Sequence, residues 1–413
     1  MLLFFLFGIF SPNTAQANGQ TTHLWITNTA VSHIEEDALS ALLAAQSDAL
    51  RAGTMFPDGG YAVGHGYGEA AHWEPFQDAY RDWIQTEYPD LSNPDAAPHI
   101  AFYLGLASHG MADQVFDSMY MERSRVYDAD HGWADASTSL DTAQDIVFAS
   151  LTGAQVVPDN WIPAHFPALF SDLGIDVDMD ILEAGQSRLE LAVNGVGGLS
   201  TVDATVAINE AAFPWGCSHL LDDAVPGSPP FEAKVVAQYW HHLWSELHGE
   251  PGRLEIIGTF PTPDSLGHAI HTDDIESRLS VVFSRGLFNE NIHEEHFGVH
   301  ASGSLLPIET HLFYGDHSHV VNIDTQTGWN KNSEHMLTIG ETLMATDGRT
   351  MSTPYSLTFS TVPPTISEST DTASPAIEPG KEAGCSCAVQ RSPTRGWGAF
   401  ILMALLGVRR RPD

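Results

Sequence analysis

The stretch Ala97–Met121, APHIAFYLGLASHGMADQVFDSMYM, decides how the chain reads. Its apolar residues recur at three- and four-residue spacing, and Pro94 stands just before it, so the pattern predicts a long helix. His109 and Asp113 lie four apart and leave one face of that helix, and Asp117 continues the stripe one turn on. Imidazole and carboxylate are ligand types that Zn²⁺ takes, and mixed His/Asp sets suit hydrolytic sites that keep positions open for water. One such pair is common by chance. Its weight comes from company: His23 in THLWITN, Asp58 in FPDGGY, His72 in EAAHWEPF, and His131 with Asp135, again four apart, in DHGWAD.

Outward from this stretch, helical spacing extends over 35–51, 138–151, 178–193 and 231–248, with Gly53 after Arg51 marking a helix end. From about Arg253 the period changes to two. Leu254–Ile257, Leu279–Phe283, His296–His300, Glu309–Phe313, His319–Ile323, Met336–Ile339 and Tyr355–Thr361 read as short strands between Gly, Asn and Asp turns, a spacing that suggests a sandwich. The expected fold class is multidomain, an all-α catalytic domain at 18–250 followed by an all-β sandwich at 253–361. With 413 residues against ~100–200 per domain, two domains are the natural count. Residues 362–383 are rich in Pro, Ser, Thr and Glu and read as an extended linker.

Both ends read as processing signals. The apolar run at 2–10, followed by Ala15-Gln16-Ala17, predicts a signal peptide over 1–17 and Asn18 as the mature N-terminus. Residues 384–413 hold Gly384-Cys385-Ser386-Cys387, an apolar run from Gly396 to Val408, then Arg409-Arg410-Arg411. Apolar run and Arg cluster together predict an anchor with its basic side inside. Residues 18–384 would then lie outside the cytoplasm, held at the cell surface. That stretch carries 12 basic and 52 acidic residues, a net charge of −40. Such a field repels nucleic acid unless metal or salt reverses it locally. Only three Cys are present, which excludes a disulfide scaffold, and Cys217 reads as a buried free thiol.

The chain contains neither a Gly-x-Ser-x-Gly elbow nor a Walker A loop nor a His-Glu-x-x-His motif, so serine-lipase, nucleotide and zincin chemistries have no anchor. His293-Glu294-Glu295-His296 reads as a polar strand edge. Trp73, Phe76 and Tyr80 follow His72 at helical spacing and read as core, or in the case of Trp73 as a cleft rim able to touch a choline head group.

The order of the His and Asp motifs resembles the zinc-dependent phospholipase C family, related to the S1/P1 single-strand nucleases. His23-Leu24-Trp25-Ile26-Thr27-Asn28 matches the family's N-terminal segment, and Phe102 to Asp113 matches its Phe-Tyr-Leu-Gly-Leu-x-x-His-x-x-x-Asp helix. The Phe-Pro-Asp and His-Trp-x-Pro-Phe segments look still more like the catalytic domain of glycosylphosphatidylinositol-specific phospholipase D. Ile256 to Thr361 resembles bacterial immunoglobulin-like domains of the SbsA type. The Cys motif, apolar run and Arg cluster resemble the MYXO-CTERM sorting signals, which implies a sorting protease.

The resemblance implies about three zinc ions per chain. Asp58, His72, His109 and Asp113 would hold one, with Asp58 also the general base. Asp113 would bridge to a second, completed by His23 and the amine and carbonyl of Asn18. His131, Asp135 and a residue of the motif helix would hold the third. The chain departs from the family there, with Met119 or Asp117 where a His is expected and Asp135 in place of Glu. The implied activity is hydrolysis of a phospholipid or glycosylphosphatidylinositol-like substrate. An S1/P1-type extracellular nuclease and a non-catalytic surface adhesin with structural zinc are the alternatives.

Overall fold

The computed structural model describes residues 18–35, 38–135, 139–250, 252–263, 269–271, 278–293, 295–330 and 333–362. The segments read from sequence as a leader at 1–17, a linker beyond Val362 and a C-terminal signal at 384–413 lie outside the described residues. The helical part comprises α1 (Gln20–Val31), α2 (Ala38–Ala45), α3 (Ser47–Val63), α4 (Tyr67–His72), α5 (Glu74–Glu87), α6 (Ala97–Val115), α7 (Glu122–Tyr127), α8 (Leu140–Thr152), α9 (Phe166–Asp172), α10 (Met179–Leu199), α11 (Asp203–Ala212), α12 (Pro214–Ser218) and α13 (Pro229–Leu247). The strands are β1 (Ile256–Phe260), β2 (Ala269–His271), β3 (Leu279–Leu287), β4 (Phe297–Ala301), β5 (Ser304–Leu306), β6 (Ile308–Leu312), β7 (Ser318–Thr325), β8 (Glu334–Ile339) and β9 (Tyr355–Val362).

Helix α6 is the hub. Every residue from Ile100 to Val115 is buried, as expected of a helix apolar on all sides and wrapped by others. Helix α3 lies against it at backbone contact. A Cβ on Gly53 would sit 2.1 Å from the carbonyl oxygen of Phe102, and one on Gly105 would sit 2.0 Å from that of Leu50. Gly53 therefore does not end a helix, as its position after Arg51 suggests. It lies inside α3, which runs on to Val63 and stops at left-handed Gly64. On another side of α6, the Trp240 indole of α13 donates to the Leu104 carbonyl at 2.8 Å. Beyond Val115 the chain continues as a π-helical turn, Phe116–Met121, a wide turn that often accompanies functional sites.

The strands form two sheets, β1-β3-β7-β6 and β2-β9-β8-β4-β5. Val281 and Phe283 of β3 and Val321 and Ile323 of β7 share one core with Val299, Leu337 and Phe359 of the other sheet. All seven expected strands are present. The two not expected, β2 and β5, are three residues each, too short to show alternation. His293, Glu295 and His296 lie before β4 and not in it, and the His296 amide donates back to the His293 carbonyl at 2.9 Å.

The helical and β layers are packed together, and the described residues form one compact unit. Val282 and Val320 join the core of the helical part. Arg285 of β3 is buried, pairs with both oxygens of Asp78 at 3.0 and 2.6 Å, and lies 3.1 Å from Glu74. The switch of period near residue 250 thus marks the passage from the helical region to the C-terminal sheets, consistent with a multidomain helix-plus-β architecture. Among the described residues no single helix is long and apolar enough to cross a membrane.

Because α3 and α6 meet through main-chain atoms, Gly105→Val should cost about 2 kcal/mol of stability through overpacking. Urea unfolding of this variant measures it; an unchanged midpoint would mean that the helices separate freely.

Candidate metal centre

Four helices converge on one carboxylate. Asp113 of α6 is buried, with one oxygen 2.8 Å from His23 Nε2 of α1. Its other oxygen lies 3.3 Å from the Nε2 atoms of both His72, at the end of α4, and His109 of α6. Asp58 of α3 faces the same two imidazoles, 3.4 Å from His72 and 3.6 Å from His109. Two overlapping groups result, His23/His109/Asp113 and Asp58/His72/His109, each with its ligand atoms close enough to hold one ion. The His23 and His109 rings stack at 3.9 Å.

Local structure aims each group. The His72 Nδ1 lies 2.6 Å from the Gly68 carbonyl, so Nδ1 carries the donated proton and Nε2 faces Asp113, as a metal-ligating imidazole requires. Asp145 of α8 caps the start of α1 by accepting from the Thr21 and Thr22 amides at 3.2 and 2.7 Å, which fixes the turn bearing His23. Gly19 is needed there because a Cβ would meet the Asp145 carboxyl at 2.3 Å. The Gln20 amide donates to Asp58, whose side chain is 26% exposed and opens the cluster to solvent.

The electrostatics are those of a cation site. Burial works against charge on His72 and His109, yet Asp113 and Asp58 more than reverse it and push them up to about 10 and about 9. Their Nε2 atoms are 3.1 Å apart, so the two imidazoles face one another across the same small space. His23 is pushed down by burial and by the charge of His109, against the pull of Asp113. Burial opposes ionisation of Asp58, but His109 and His72 outweigh it and keep the carboxyl low and anionic. Further carboxyls crowd the back of the cluster. Burial, with the nearby acids, holds Asp117 and Glu232 well above the usual carboxylate range, and burial raises Asp145 to about 6. Buried polar atoms without hydrogen-bond partners include His23 Nδ1, His109 Nδ1, Asp117 Oδ1 and Glu232 Oε1. Nitrogen and oxygen donors in this state fit a divalent cation of the zinc type.

The structure brings together His23, Asp58, His72, His109 and Asp113. Asn18 is buried near them, its amide donating to Glu232 at 2.6 Å and its oxygen accepting from Gln144 at 3.1 Å. Asp117 is buried in the π-helical turn and accepts from the Tyr314 hydroxyl. His131 and Asp135 lie exposed on either side of the short turn Gly132–Ala134. Among the described residues they form no metal-holding group with Asp117. Gln20, Asp145, Glu232 and Tyr314 escaped the sequence reading. Gln20 and Asp145 left some signal, since Gln20 sits one turn before His23 and Asp145 sits four residues after Asp141 on a predicted helix.

No model of a known protein family matches the chain. Curated relatives do. The chain is 30% identical over 131 residues to phosphatidylinositol-glycan-specific phospholipase D of Bos taurus, and 31% over 125 residues to that of Rattus norvegicus. It is 27% identical over 157 residues to the corresponding protein of Dictyostelium discoideum. These alignments cover 29%, 28% and 34% of this chain but only 16%, 15% and 17% of the relatives, so the chain spans a small part of their length. This is distant homology supporting a phospholipase-like family over about a third of the chain. Among solved structures, the S-layer protein rSbsC(31-844) is 8% identical with a TM-score of 0.22, over 74% of this chain and 46% of that one. A likeness at that level says nothing about fold.

Zinc entering this cluster would compete with protons on His72 and His109, whose basicity the neighbouring carboxylates raise. At pH 7, calorimetric titration with Zn²⁺ in buffers of different ionisation enthalpy should show at least one proton released per chain. Apparent affinity should rise about tenfold per pH unit for each proton displaced, levelling off as pH passes the raised imidazole values. Binding without proton release would contradict the assignment of these imidazoles.

Proposed function

We propose that the helical part is a zinc-dependent phosphodiesterase of the phospholipase type, acting on a phospholipid or glycosylphosphatidylinositol-like substrate at the cell surface. The observation that carries this reading is Asp113, whose two oxygens face different histidines, His23 on one side and the His72/His109 pair on the other. A carboxylate so placed is built to be shared between two ions. Asp58, His72, His109 and Asp113 would hold one zinc, and His23, Asp113 and the mature N-terminus at Asn18 a second. A third would have Asp117 as its candidate ligand, since His131 and Asp135 form no metal-holding group with it among the described residues. Homology to phosphatidylinositol-glycan-specific phospholipases D supports a phospholipid-related hydrolase.

Zinc, when bound, supplies positive charge against the phosphoryl oxygens and makes water more acidic. The chain's own residues do the rest. Asp58, the solvent-facing carboxylate, would accept the proton of an attacking water, and Gln20 holds it in place. Its depressed pKa suits a ligand better than a strong general base, so proton acceptance by Asp58 is the weaker half of its role. Trp73 is half-buried beside the cluster, its indole N–H bonded to Glu69 at 2.7 Å, while Phe76 and Tyr80 are fully buried core. The same proposal includes an immunoglobulin-like reading of the sandwich, leader removal before Asn18, and a sorting protease with membrane anchoring through 384–413.

Asp113→Asn should abolish hydrolysis and lose more than one zinc equivalent, measured by metal analysis, because one residue serves two ions. Full activity in that variant would remove the centre of the proposal.

Phosphatidylcholine or an inositol-containing phospholipid should be hydrolysed well above the rate for single-stranded DNA. The comparison runs across ionic strength, since repulsion by the net −40 of residues 18–384 is strongest at low salt. DNA cleavage exceeding head-group release at every salt concentration would favour the nuclease, and zinc binding without either activity would favour the adhesin.

A further inference from the structure

The β layer reaches into the metal centre. Strand β7 and the loop before it run along the motif helix where it widens into the π-helical turn. The His319 amide donates to the Gln114 side chain at 2.7 Å, and the Asn322 amide donates to the Ser118 carbonyl at 3.0 Å. Between those two contacts the Tyr314 hydroxyl donates to Asp117 Oδ2. Tyr314 also meets the Trp73 ring edge-on at 5.4 Å, so it touches the segment that follows His72.

The loop carrying Tyr314 is held in place. Its amide donates to Ser318 Oγ at 3.2 Å, and the His317 amide donates to the Leu287 carbonyl at 2.8 Å. His317 adopts a positive φ of 72°, a conformation that costs a non-glycine residue energy and persists only when its surroundings impose it. Gly286 makes room for this turn, since a Cβ there would stand 2.5 Å from the His317 carbonyl oxygen.

We infer that Tyr314 is a positioning residue for a metal ligand: by occupying Asp117 Oδ2 it fixes the carboxyl and leaves Oδ1 as the oxygen that takes the ion. Asp117 Oδ1 is buried and has no hydrogen-bond partner, although the residue is only 1% exposed. An oxygen left in that state is costly unless a cation or a donor satisfies it. The tyrosine does for Asp117 what the Gly68 carbonyl does for His72, fixing the direction of a ligand from outside the coordination sphere. The active centre is then built by both layers of the protein.

This inference rests on the zinc reading above, and its test is separable from it. In the full chain, Zn²⁺ binding is titrated against a chromophoric chelator for wild type, Tyr314→Phe, Asp117→Asn and the double variant. Phenylalanine keeps the ring against Trp73 and removes only the hydroxyl. The expected result is a 10- to 100-fold weaker affinity for the weakest zinc equivalent in Tyr314→Phe, with the tighter equivalents unchanged. Asp117→Asn should reproduce that loss, and the double variant should be no worse than Asp117→Asn. Unchanged zinc affinities in Tyr314→Phe overturn the inference and leave the proposed function standing. So does a loss in Tyr314→Phe that persists undiminished in the Asp117→Asn background, since the hydroxyl then acts elsewhere. Failure of the wild type to bind zinc at all overturns both.

Discussion

A carboxylate buried between imidazoles is the constraint from which the helical layer takes its form. Asp113 is shielded from water, so its charge must be answered by protons or by a cation. The three histidines that answer it come from α1, α4 and α6, and the carboxylate beside them from α3. Holding these four helices at one point demands that α6 be central and wholly buried, that α3 approach it without side chains between, and that α1 begin on a cap strong enough to fix its first turn. Each of those demands is met by an identifiable residue: Gly53 and Gly105 at the approach, Asp145 at the cap.

Much of this was legible in the order of residues, for a specific reason. His109 and Asp113 are coupled by helical periodicity, so their common face follows from spacing alone. Joining them to His23, Asp58 and His72 needed a motif order, because these residues are brought in from separate helices. What spacing misses is tertiary by nature. Gly53 looked like a terminator because glycine ends helices in isolation, whereas here backbone contact with α6 requires it in mid-helix. Glu232 opens α13 and meets Asn18 from more than 200 positions away. Tyr314 lies in a loop of the β layer, where no period relates it to the motif helix. His131 and Asp135 repeat the four-residue spacing of His109 and Asp113, yet they flank a short turn instead of sharing a helix face, so spacing there marked a pattern without a common surface.

The two layers are joined by charge as well as apolar contact. Arg285 is buried and meets Glu74 and Asp78 of α5, while Arg81 of the same helix pairs with Glu246 of α13 at 3.0 Å and Arg349 with the same Glu246. A buried pair is costly to break, because the partner left behind is an uncompensated charge. Glu74 follows His72 by two residues, so the β layer grips the chain beside a metal-ligand candidate. Displacing the sandwich would disturb α5 and the loop around Tyr314 together.

The contact between α3 and α6 also bears on ionic size. Asp58 stands on one of these helices and His109 and Asp113 on the other, and the helices are stopped by main-chain oxygens that no rotamer change can move aside. Calcium prefers oxygen distances of about 2.3–2.6 Å, zinc about 2.0–2.2 Å. A contact of this kind limits approach, so a smaller ion would be met by swinging the two carboxylates inward, since the helices beneath them cannot close further. The glycines thus set the nearest approach of the two helices that carry these candidate ligands, at a distance from any atom that would touch an ion.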